Sequence, residues 1–233
     1  EISFKKYTKG KILLPNGFRK NAKVVEISAL YVPYWLKSGF TDAQVTATAK
    51  KVRTWRVGDV RYTNTKIYNV ARSGQFTFVR VPCDGSKRID DALMESIEPF
   101  DYKDVKVFSM SYLAGCAAEK YDVPLEQAQV RIDERIKNAA QEELVRDMQG
   151  YSSVNVTGCN IRYGNTAEIY ALLPVWFLNY RFKDKDYPFV MNGQTGAHFG
   201  ILPVSKLKAA LLGTGIFAAI TLAANLIGGL LLG

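Results

Sequence analysis

The sequence is poor in the residues from which most metal and nucleophilic sites are built. Its 233 residues hold one histidine, His198, and three cysteines, Cys83, Cys116 and Cys159. No C-x-x-C occurs, which excludes a disulfide framework and a zinc ribbon within these residues, and three unpaired thiols suit a reducing compartment. A Ser-His-Asp or Cys-His mechanism would have to run through His198, which has no carboxylate or thiol partner at a readable spacing. Phosphate-cradling loops of the G-x-x-x-x-G-K-[ST] and G-x-G-x-x-G kinds are absent too. Asn192 to Gly196 is glycine-rich but reads as turn chemistry. Ser3-x-x-Lys6 and Ser205-x-x-Lys208 match a penicillin-recognising spacing, yet the companion motifs are missing. Asp90, Asp91, Glu95 and Glu98, and Glu142 with Glu143, read as solvated helix faces rather than acid–base pairs. Cys116 reads as a small buried helix residue. No catalytic set emerges, and the expectation is a non-enzymatic protein.

Charge is missing from one end. Ala209 to Gly233 is a run of 25 residues with no charge, its only polar members being Thr214, Thr221 and Asn225. As a helix it would be roughly 37 Å long, enough to cross a hydrocarbon core of about 30 Å. We expect a transmembrane helix over residues 206–233. Gly215, Ala219 and Ala223 recur at every fourth position, a spacing that admits a second helix, although ordinary membrane composition produces it as well. Lys206 and Lys208 flank the run on its N-terminal side, and nothing positive follows. The positive-inside rule then places residues 1–208 in the cytosol. Because Glu1 is not Met and the apolar run is still open at Gly233, we expect the chain to be a portion of something longer.

The remaining charge is lopsided. The net +9 divides into 18 Lys+Arg against 5 Asp+Glu in residues 1–88 (+13) and 13 against 17 in residues 89–233 (−4). Lys5, Lys6, Lys9, Lys11, Arg19, Lys20 and Lys23 crowd the start. A second basic set, with Lys50, Lys51, Arg53, Arg56 and Arg61 at its head, falls on expected strands. One reading is a solvated face. Another is attraction to an anionic membrane surface by Lys50, Lys51, Arg53, Arg56 and Arg61 together with Lys206 and Lys208. A third is nucleic acid, since Trp55, Tyr62, Tyr68, Phe76 and Phe78 interleave with the cations. A half-buried antiparallel sheet produces the same alternation.

The periodicity predicts an α+β fold: antiparallel sheet elements flanking a helical segment, then the membrane helix. Residues 1–88 form a basic β-rich segment, 89–150 a helical segment and 151–205 a β-meander. In the first, three or four strands lie between residues 24 and 82, with Pro33 breaking the first and Ser73-Gly74 turning a later one. Helices are expected at 89–98, at 111–121 and from Pro124 to Gln149, the last capped by Asp122. Its apolar stripe is Leu125, Ala128, Ile132, Ile136, Ala139, Leu144 and Met148. An internal echo, ALYVPYW at 29–35 against YALLPVW at 170–176, points to two similar β-elements whose tryptophans pack on the helices.

Six segments occur in order: YVPYWL (31–36), RVPCDGS (80–86), DDALMESIEPFDY (90–102), YLAGCAAEKYDV (112–123), ALLPVWFLNYRF (171–182) and NGQTG (192–196). With the terminal apolar run they resemble the bacterial membrane-anchored TFIIB-type zinc-ribbon-containing proteins, from about Lys11 onward. The resemblance implies a zinc ribbon before the part seen here. Within residues 1–233 no cofactor is expected, and zinc would belong upstream of Glu1. It also implies protein partners among SPFH and phage-shock-type proteins. The expected function is therefore a membrane-anchored cytosolic adaptor or scaffold, with membrane-tethered nucleic-acid binding through the basic half as the alternative.

Overall fold

The computed structural model describes residues 2–113 and 115–232, with side chains for all of these except 2, 3, 5 and 226–232. Two short helices, α1 (Ile2–Thr8) and α2 (Phe18–Asn21), precede two long strands, β1 (Lys23–Val57) and β2 (Val60–Asp84). There follow α3 (Asp91–Glu95), two 3-10 turns, the two-residue β3 (Ala117–Ala118) and α4 (Leu125–Arg146). The chain ends with β4 (Ser153–Phe182), β5 (Lys185–Asn192), β6 (His198–Gly200) and α5 (Lys206–Leu232). The class is mixed helix and sheet. One curled antiparallel half-barrel sheet runs β2-β1-β4-β5-β6, and β3 joins the edge of β1 in parallel.

Alternation builds the middle of this sheet. On β1, Thr41, Ala43, Val45, Ala47 and Ala49 are buried while Asp42, Gln44 and Thr46 face solvent. The small buried residues let α4 lie close: Ala140, Leu144 and Met148 pack on Ala43, Val45 and Ala47. Nearer its start, Ala128, Ile132 and Ile136 pack with Cys83 beside Trp35, Phe78 and Tyr163. The stripe is as expected except at one place. Ala140 is buried and Ala139 exposed, because the lower half of the stripe steps by four (136, 140, 144, 148). Helix α3 and the segment after it cover the opposite face, where Leu93, Met94, Ile97 and Phe100 meet Val32, Tyr34, Leu36 and Leu173.

Several expectations are corrected. Pro33 does not break its strand. Its carbonyl accepts from Gly85 N–H at 2.8 Å just past the end of β2, and the reciprocal bond that proline cannot donate is replaced: Gly85 O accepts from Asp122 and Val123 N–H at 3.0 and 3.1 Å. Ser73-Gly74 is not a turn but lies within β2. There the glycine sits under α4, where an added Cβ would come 3.4 Å from Leu144 Cδ2. Residues 24–82 are thus not three or four strands but two, the second folding back through Gly58 (φ 59°). Finally, residues 111–121 are not a helix. Gly115 adopts φ 80°, which ends the 3-10 turn at Met110–Leu113. Ala117 and Ala118 then pair with Leu30 and Tyr31, leaving Cys116 half-buried in a turn. Asp122 does not cap α4 either; its carboxylate accepts from Lys87 N–H at 2.6 Å.

The internal echo has a geometric meaning. The two segments pair with each other, Ala29 opposite Trp176 and Trp35 opposite Tyr170, about a local pseudo-twofold at Val32 opposite Leu173. Pro174 accepts from Gly193 N–H at 2.9 Å where β5 stops, as Pro33 does from Gly85 where β2 stops. Only one tryptophan packs as expected. Trp35 donates to Val123 O at 3.0 Å beside the start of α4, whereas Trp176 is left 41% exposed.

Candidate functional site

The pairing of β4 with β1 ends at Lys50 opposite Ser153, and from Lys51 to Lys66 the β1–β2 hairpin continues as a two-stranded ribbon. Residues directly opposed across an antiparallel pair share a face. Lys51/Lys66, Arg53/Asn64, Trp55/Tyr62 and Val57/Val60 therefore lie on the α4 side, and Lys50/Ile67, Val52/Thr65, Thr54/Thr63 and Arg56/Arg61 on the other. Lys51, Arg53, Trp55, Asn64, Lys66 and Tyr68 line one shallow cleft. Trp55 stacks on Tyr62 with centroids 5.7 Å apart and planes 14° apart. Ser152 ties the base of the ribbon, accepting from Val52 N–H at 2.9 Å and donating its own N–H to Lys50 O at 2.7 Å.

The candidate basic residues are thus not one patch. Lys51 and Arg53 share the cleft, while Lys50, Arg56 and Arg61 face away from it. Lys206 and Lys208 lie at the opposite end, beside the aromatic core of Phe4, Leu14, Phe18, Tyr180, Phe182 and Phe189. Counted along the chain at about 3.3 Å per residue, roughly 90 Å of curled strand runs from the start of β1 beside that core to Lys50. Lys206 is exposed, whereas the Lys208 ammonium donates to Leu14 O at 2.8 Å. Ala209, Gly215, Ala219 and Ala223 lie along α5, where an added Cβ at Gly215 would meet nothing within 4 Å. Gly233 lies outside the described residues.

A second constellation was not legible in the sequence. Arg131 on α4 meets Asp84 at 3.3 Å, Asp91 at 3.2 Å and Glu95 at 3.1 Å. One turn on, Arg135 meets Glu95 at 2.9 Å and Glu98 at 3.0 Å and donates to Pro82 O at 2.8 Å. Burial pushes Asp84 up to about 6 and Glu98 up to about 7, in both cases against the pull of the neighbouring arginine. Burial raises Glu95 as well, but the two arginines outweigh it and hold the group below its ordinary value. Burial also lifts the Cys83 thiol to about 11, which disfavours the nucleophilic thiolate. These carboxylates form a clamp between α3 and α4 rather than a solvated face. The only sequence signal is the i, i+4 spacing of Arg131 and Arg135, which does not name a partner.

His198 sits on β6, its ring against Tyr7 and Phe189. Among the described residues no group of three or more His, Cys, Asp or Glu is placed to hold a metal. Cys83, Cys116 and Cys159 lie on separate elements and do not fit a zinc ribbon.

Compared with known proteins, the chain is 34% identical over 233 residues to the uncharacterized protein YdjG of Bacillus subtilis strain 168, the match covering 98% of this chain and 68% of YdjG. The chain belongs to the YdjG family. No family model matches it, and no solved structure does. Membership of the YdjG family lends the zinc-ribbon resemblance no support. The hairpin and the clamp are properties of this chain's own residues.

Proposed function

We propose that the chain is a non-enzymatic, membrane-anchored adaptor. In this reading α5 crosses the bilayer, the rest stands on the cytosolic side, and the hairpin of residues 51–66 presents its cleft to an acidic protein partner. The observation that carries it is the ribbon itself: a stacked Trp–Tyr pair with Lys51, Arg53 and Lys66, free of other elements at the end of the sheet remote from α5. Aromatic and arginine side chains on a rigid support are what binding hot spots are made of. The anchor reading is supported by Lys206–Asn225, long and apolar enough to span and with none of it buried, unlike the core helix of a soluble protein. Orientation rests on Lys206 and Lys208. SPFH and phage-shock-type proteins, implied by the zinc-ribbon resemblance, are the partners to test first.

The experiment is purification of the full chain from native membranes in mild detergent, beside the double variant Arg53→Glu/Lys66→Glu. A stoichiometric protein partner lost from the variant supports the reading; a partner retained by the variant removes the hairpin from it. One arrangement favours a second reading: Trp55, Tyr62 and Tyr68 share a face with three cations, as in proteins that stack bases and track phosphates. Single-stranded oligonucleotides should then bind the full chain in neutral nanodiscs with steep salt dependence. No binding near physiological salt rules that out.

A further inference from the structure

At the foot of α5 the chain's first residues fold back against the last. Ser205 donates its N–H to Leu13 O at 2.8 Å, and the Lys208 ammonium takes Leu14 O at 2.8 Å. The loop between α1 and α2 is thereby pinned beside the first turn of α5. Around this junction three large apolar side chains point into solvent: Ile12 is 68% exposed, Val204 60% and Leu207 70%. Lys9, Lys11 and Lys206 stand exposed among them. No carboxylate follows Glu1 until Glu26, and the nearby Asp186 is already held by Arg181 at 2.7 and 2.9 Å. With 3.8 Å between successive Cα atoms, Lys11 and Ile12 lie within about 8 Å of Leu13. That is about one screening length at physiological salt from Ser205, the residue just before α5 and one helical turn before the uncharged run begins at Ala209.

We propose that this foot, and not the hairpin, is the surface that lies on the bilayer. Ile12, Val204 and Leu207 enter the headgroup region, and Lys9, Lys11 and Lys206 bind the phosphates of anionic lipids. The proposal rests on α5 spanning the membrane. Its logic is continuity: α5 delivers these residues to the interface, and apolar side chains ringed by lysine match a surface that is apolar below and anionic above. The hairpin cations are separated from this level by the length of β1. They remain available to a different partner.

The test is hydrogen exchange on the full chain in nanodiscs of phosphatidylcholine alone or with 30 mol% phosphatidylglycerol. Amides 9–13 and 204–207 should exchange about tenfold more slowly in the anionic discs, as expected for a few lysines near a charged surface, and the difference should collapse in high salt. The triple variant Lys9→Gln/Lys11→Gln/Lys206→Gln should lose the difference. Lys51→Gln/Arg53→Gln/Lys66→Gln, an equal charge loss at the other end, should keep it. Protection across residues 209–225 without lipid-dependent protection at the foot overturns this proposal alone, as does loss of the difference in the hairpin variant. Free exchange across 209–225 in both disc types overturns the spanning helix and the foot with it.

Discussion

The two ends of the sheet carry similar positive charge in opposite settings. At the α5 end the lysines surround an aromatic core in which Phe4 lies 3.7 Å from Tyr180 and Phe18 sits edge-on to Phe182 and Tyr187. At the hairpin end no core exists. Trp55 and Tyr62 have only each other and their own ladder, and residues 51–69 are exposed throughout. The first end is held by burial, which is cooperative and intolerant of loss. The second is held by local pairing, so its side chains are free to be spent on recognition. Equal charge therefore says nothing about equal role; what surrounds the charge does.

The strongest way to break this comparison is to remove an aromatic ring from each end. Phe18→Ala should cost about 3–5 kcal/mol, because the ring is fully buried among other rings. Trp55→Ala should cost under about 1 kcal/mol, the worth of one cross-strand pair. Denaturant unfolding of the full chain in detergent would compare them, and equal losses would show that the hairpin has a hidden core.

A smaller effect belongs to the clamp between the two ends. Glu98, at about 7, and Asp84, at about 6, hold protons more tightly folded than their ordinary values allow in the unfolded chain. The folded state therefore binds more protons between about pH 4 and 7, and the contribution of these groups to stability falls as pH rises through that window. Glu95, depressed, acts oppositely: its contribution is present above its ordinary value and is lost as pH falls. Glu98→Gln should flatten the decline by on the order of 2 kcal/mol between pH 4 and 7. A slope that stays unchanged in the variant would show that Glu98 is charged throughout.

The smallest effect sharpens the picture of the hairpin alone. Gly58 turns it at φ 59° with open space around its Cα. Gly58→Ala should cost about 1 kcal/mol through backbone strain without a clash. Hydrogen exchange should quicken at residues 52–65 and stay unchanged at residues 4–18.

Much of the fold was legible because it is local. The alternation at residues 41–50 and the stripe from Ala128 to Met148 are set by neighbours along the chain, and the structure keeps both. The misread places depend on what lies across the sheet. Pro33 reads as a break until β2 is known to end beside it, and Ser73-Gly74 reads as a turn until Leu144 is known to press there. The candidate site was legible in composition and not in geometry. Lys50 and Lys51 are adjacent in sequence, yet the strand period of two sends them to opposite faces.

By itself the sequence determined three things: a half-buried sheet, one amphipathic helix laid on it, and a terminal helix apolar enough to span a membrane. Each follows from periodicity or composition, which need no knowledge of distant residues. The tertiary structure decided the rest. It set the distance between the two basic groups, the partners of Arg131 and Arg135, and the fastening of Leu13 and Leu14 to the foot of α5. Those contacts join residues from 36 to 194 positions apart. At such separations, which groups meet is fixed by the packed arrangement of the whole sheet and its helices, not by any local pattern in the chain.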